Sequence, residues 1–242
     1  MLLLLLGLPG CTEDQLLEME SLERNLLLTW IAVEREDDKR IVRFNTAAQR
    51  DWSAIVRSYG DGLMRPDLRK SAVRIRFWMP MLNKAVTDRH FPRANMFINL
   101  IQNELRVLRP KYGMDHPADR LYDFYFQWQD VVAASNDPMM CLLEWNEYEE
   151  RVELAAKTWR EYTAGRPRFS DYLFPGYGRN AAEAEAAGLA MTESINHFTT
   201  ILLQADHTLA AGPSRMIDDL FFDYLAVVTA YPAGAPTADA IR

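Results

Sequence analysis

The sequence is poor in the residues that most metal and nucleophile chemistry needs. Two cysteines and four histidines stand among 242 residues, which excludes a disulfide-stapled scaffold and any four-cysteine zinc or iron–sulfur centre. Glycine and proline number only 11 and 12, so the chain is neither collagen-like nor low in complexity. It has no Gly-rich phosphate loop, no Gly-x-Gly-x-x-Gly, no Gly-x-Ser-x-Gly elbow and no His-Glu-x-x-His. The Glu-x-x-His pairs of di-iron bundles and the two-cysteine haem attachment motif are missing too. Strict polar–apolar alternation, the mark of a half-buried strand, is not found in any segment bounded by turn residues. What remains is 49% apolar and 25% charged, a globular composition long enough for one large domain or two small ones.

Charge is distributed unevenly. The net charge is −7, yet residues 1–120 hold 19 basic and 16 acidic groups, and residues 121–242 hold 8 and 18. Ten basic residues fall within 39–76 (Lys39, Arg40, Arg43, Arg50, Arg57, Arg65, Arg69, Lys70, Arg74 and Arg76) against Asp51, Asp61 and Asp67. Such a window suits an anionic surface, or is a solvated helix face. Nucleic acid is not an expected partner: the isoelectric point is near 5.2 and no nucleic-acid module motif occurs.

The N-terminus opens with five consecutive leucines (Leu2 to Leu6) and reaches Leu8-Pro9-Gly10-Cys11. Ten residues make about 15 Å of helix, half a bilayer core, so the run does not span a membrane. It reads as the apolar part of a secretory signal over residues 1–10, ending in small residues. Leu8-Pro9-Gly10-Cys11 resembles the lipobox of bacterial lipoproteins. The resemblance covers only these residues. It implies cleavage before Cys11, lipid on Cys11, and a membrane-anchored protein facing the periplasm. Thr12 rather than Asp after the cysteine implies the outer membrane over the inner. Cys141, in the apolar run Met139-Met140-Cys141-Leu142-Leu143, reads as a buried, inert thiol.

The rest reads as helices joined by Pro/Gly loops. Thr12-x-x-Gln15 is a capping-box pattern, followed by Leu16, Met19, Leu22, Leu26, Trp30 and Val33 at helical spacing. Residues 38–59 repeat this with Ile41, Phe44, Ala48, Trp52, Ile55 and Tyr59, and Gly60-Asp61-Gly62 is expected to break the chain. Pro66 suits the first turn of a helix to about Arg89, with Pro80 expected as a kink. Residues 92–108 place Met96, Leu100, Ile101, Leu105 and Leu108 on one stripe. Pro117 opens a helix to Ala134, and Asp137-Pro138 another to Thr163. Residues 165–179 are the longest loop. Asn180 is expected to cap a long helix to Ala210, and Pro213-Ser214 to begin the last, ending near Tyr231. Residues 232–242 read as a flexible tail. The expected fold is all-α: about eight helices in one or two antiparallel bundles over 11–231, with possible halves meeting near 110–117. Trp52, Tyr59 and Gly62 loosely echo Trp159, Tyr162 and Gly165, which suggests a repeated helical unit.

Few residues point to chemistry. Glu193 and His197 are one helical turn apart and are a weak metal-ligand pair; an exposed i,i+4 contact is the plainer reading. His207 lies about 15 Å further along the axis and is out of reach. Tyr122, Tyr125 and Trp128, within Tyr122-Asp123-Phe124-Tyr125-Phe126-Gln127-Trp128, point in nearly every direction on a helix. Either neighbours surround that helix or some rings are exposed to a partner. Phe169, Tyr172, Phe174 and Tyr177 form a second aromatic group in a loop, where binding residues concentrate. Together these observations favour a lipid-anchored envelope protein with a helical binding or scaffolding role and an envelope protein as partner, with no catalytic activity evident and no cofactor expected. A helical-bundle protein holding a small molecule, haem or metal is the first alternative. A cytoplasmic helical enzyme domain is the second.

Overall fold

The computed structural model describes residues 13–63, 66–108, 118–137, 142–164, 172–204 and 209–232. Cys11, Cys141, Phe169 and His207, with the segments 1–10 and 233–242, lie outside the described residues. Nine helices and no strand occur among the described residues, so the fold is all-α as expected. In chain order they are α1 (Glu13–Glu34), α2 (Asp38–Leu63), α3 (Pro66–Thr87), α4 (Phe91–Leu108), α5 (Ala118–Ser135), α6 (Leu142–Ala164), α7 (Gly176–Arg179), α8 (Ala181–Leu202) and α9 (Ala211–Val228).

Helix ends follow from local chemistry. Asp37 precedes α2 and accepts the backbone N–H of Arg40 at 3.2 Å while pairing with the Arg40 guanidinium at 2.8 Å, which satisfies one orphan donor of the first turn. His90 does the same for α4, its Nδ1 accepting the N–H of Arg93 at 3.3 Å. Three ends share one stop. Glu36, Arg89 and Ala230 have φ of 50°, 55° and 49°. At each, the next residue's N–H returns to a carbonyl five residues back: Asp37 to Ala32, His90 to Ala85 and Tyr231 to Ala226, at 2.8–2.9 Å. This is the Schellman arrangement, formed here without glycine.

Several expected boundaries move. α2 runs on through Gly60 and Gly62 to Leu63; glycine costs a formed helix about 1 kcal/mol per residue but does not forbid it. Pro80 lies inside α3 on its exposed side. α8 ends at Leu202 instead of reaching Ala210. Asn180 precedes α8 without capping it: its side-chain amide donates to Glu183. The loop before α8 contains the one-turn helix α7.

The chain divides into two compact units, Met1–Asp115 and His116–Arg242. In the first, α1 packs on α2 and α4, and α3 packs on α2 and α4, so four helices close a ring. Leu22, Leu26, Trp30, Ile41, Ile75, Leu82, Ile98 and Ile101 fill it and are essentially inaccessible to solvent. Met96, expected on the core stripe, is exposed; Phe97 and Ile98 take the inner positions. In the second unit, α5 packs on α6 and α9, and α8 packs on α6 and α9, closing a second ring. Trp52 and Trp159, noted for their similar surroundings in sequence, both lie buried on the second helix of their units.

α7 is set against α9 by a close approach at Gly176. A Cβ there would lie 2.0 Å from the Val227 carbonyl oxygen and 2.8 Å from the Val228 Cα. Backbone atoms inside a packed ring have little room to yield. Gly176→Ala is therefore expected to destabilise the second unit by about 3 kcal/mol, whereas Gly212→Ala, with nothing within 4 Å, is expected to leave stability equal or higher. Urea unfolding of the two variants checks the contrast.

Candidate functional site

The aromatic residues singled out in the sequence converge, but inward. Tyr122, Tyr125 and Trp128 on α5 are 0%, 4% and 1% exposed, so they are core side chains and offer no surface to a partner. The physical reason is that α5 is covered by α6 on one side and α9 on the other. Phe124 stands 5.8 Å from Trp128, 5.2 Å from Trp159 and 5.7 Å from Phe221 between ring centroids. Tyr125 stacks on Phe221 at 5.4 Å, and Trp128 meets Phe198 edge-on at 5.3 Å. The polar tips are spent across helices as well. Trp128 donates to the Ser214 carbonyl at 2.9 Å, and Trp159 donates to Thr192 Oγ1 at 2.9 Å. Phe174 in the loop is fully buried, Tyr177 is half-buried, and Tyr172 alone of the described loop aromatics is exposed.

Tyr177 belongs to a cluster that sequence spacing does not reveal. Its hydroxyl meets those of Tyr162 on α6 and Tyr224 on α9: Tyr162 and Tyr224 are 2.6 Å apart, Tyr162 and Tyr177 are 3.1 Å apart, and Tyr177 bonds Tyr224. Three hydroxyls that each donate and accept satisfy one another in a closed set. Burial pushes the ionisation of all three above the ordinary tyrosine range, and their proximity to one another adds to this for Tyr162 and Tyr224. The set is thus a neutral clasp joining α6, α7 and α9, with no tyrosinate at neutral pH.

Glu193 and His197 occupy the solvent side of α8, one turn apart, while Met191 faces the core. This agrees with the plainer reading of an exposed contact and not with the metal-ligand alternative: the inner stripe of α8 is taken by Ala184, Met191, Ile195, Phe198 and Leu202. Among the described residues, no three His, Cys, Asp or Glu side chains are grouped to hold a metal ion. A cavity of about 310 Å³ opens between α5 and α6 and is lined by Asp130, Asp137, Glu147, Tyr148 and Arg151 with two alanines. The Tyr148 hydroxyl at its wall is held by Ser135 at 2.6 Å.

The first unit carries polar groups in its ring. Asp51, 9% exposed, accepts hydrogen bonds from Ser21 and Asn25 at 2.7 Å each and faces the Arg50 guanidinium at 3.3 Å. Trp30 donates to Asn95 at 3.0 Å, and buried Asn45 donates to Asn83 at 2.9 Å. Gln102 is fully buried, and both of its amide atoms lack a hydrogen-bond partner.

Of the basic window, Arg65 lies outside the described residues, and most of the others stand on exposed sides of α2 and α3. Arg43, Arg50 and Arg57 recur every seven residues on the exposed side of α2. On α3, Arg69, Lys70, Arg74, Arg76 and Lys84 are all exposed, alongside Val73, Phe77 and Met81 at 60%, 64% and 38%. No described helix is long and apolar enough to cross a membrane. Comparison with family models, with curated proteins and with solved structures finds no match to this chain.

Two predictions follow from the buried polar groups. Burial raises Asp218 to a pKa of about 6, opposed by the hydrogen bond from Gln129 and assisted by Asp219. A carboxyl whose folded pKa lies above its unfolded value costs stability as pH rises between the two. Asp218→Asn is expected to stabilise the protein at pH 7.5 by about 2 kcal/mol, allowing for partial exposure, and to flatten the fall in stability between about pH 4 and 6. Denaturant midpoints across that range measure it. Gln102→Met is expected to raise stability by about 1 kcal/mol, since it removes two unpaired buried polar atoms at similar volume; thermal unfolding reads the change.

Proposed function

We propose that this chain is a lipid-anchored cell-envelope protein, held to the membrane through Cys11 and facing the periplasm, whose helical units bind a protein partner or scaffold an assembly. The observation that carries the reading is the leucine run ending in Leu8-Pro9-Gly10-Cys11, which resembles the lipobox of bacterial lipoproteins. Cys11 stands two residues before α1 begins at Glu13, so lipid on Cys11 tethers the first unit to the bilayer with almost no linker. Thr12 in place of Asp favours the outer membrane. For a binding role the described aromatic side chains leave Tyr172 exposed, while Tyr122, Tyr125 and Trp128 are spent on packing, and α3 carries three exposed apolar side chains, Val73, Phe77 and Met81. The metal or haem alternative rested on Glu193 and His197, which face solvent, and no other observation favours it.

The test is metabolic labelling with an alkyne fatty acid, followed by detergent phase partition and mass analysis of the N-terminal peptide. The expected result is a mature chain starting at Cys11 and carrying lipid, with Cys11→Ser unlabelled and released from the membrane fraction. A soluble product with an unmodified Cys11 would overturn the reading.

A further inference from the structure

We draw no further inference here: the strongest candidate, the cavity between α5 and α6 walled by Asp130, Asp137, Glu147 and Arg151, carries nothing because these charged side chains are an exposed acidic cluster around one arginine, the Tyr148 hydroxyl beside them is already held by Ser135, and no second observation points to a ligand.

Discussion

A helix with large rings on every side has to be surrounded, and that demand organises the second unit. α5 carries Tyr122, Phe124, Tyr125 and Trp128 within seven residues, all buried. Covering them takes α6 on one side and α9 on the other, and α8 then closes the ring across α6 and α9. Burying an aromatic ring removes 150–250 Å² from water, at roughly 25 cal/mol per Å², so no partial covering of α5 competes with a closed ring. The loop after α6 follows from the same demand. Phe174 fills the core, Gly176 lets the backbone reach α9, and Tyr177 completes the hydroxyl set with Tyr162 and Tyr224.

The first unit closes its ring differently. Its aromatic content is lower, and its interior is threaded by amide and carboxylate groups: Asp51 held by Ser21 and Asn25, Asn95 held by Trp30, and Asn45 held by Asn83. Satisfied pairs of this kind add little net stability, but they penalise any register that leaves one partner unpaired. With the inward arc of α3 spent on the ring, its outward arc is free to be both apolar and basic.

Much of this was legible in the residues. Helix starts were read from Asp, Pro and the onset of the apolar period, and α4 and α5 begin within one residue of expectation. The core stripes of α1 and α2 were also legible, because Leu22, Leu26, Trp30, Ile41, Ala48 and Trp52 follow the helical period cleanly. Helix ends were harder. Glu36, Arg89 and Ala230 adopt the left-handed conformation without the glycine that signals it, and Gly60 and Gly62 sit where a break was expected but the helix continues. The aromatic run was ambiguous in principle. Rings on all sides of a helix imply either encirclement or exposure, and only the packing of α6 and α9 decides between them. The tyrosine set joins residues 15 to 62 positions apart, so no local pattern encodes it. The basic window was visible as composition, while its sorting onto the outer arcs of α2 and α3 required knowing which arcs face inward.

The central physical claim is that each unit closes its own ring of four helices around its own core. It is tested most directly by expressing residues 1–115 with Cys11→Ser, and residues 116–242, as separate chains and recording circular dichroism with denaturant unfolding. The account predicts that both fragments are helical, disperse their amide signals and unfold in single cooperative transitions. A fragment that is unfolded, or that is helical but lacks fixed tertiary packing and cooperative unfolding, would contradict it.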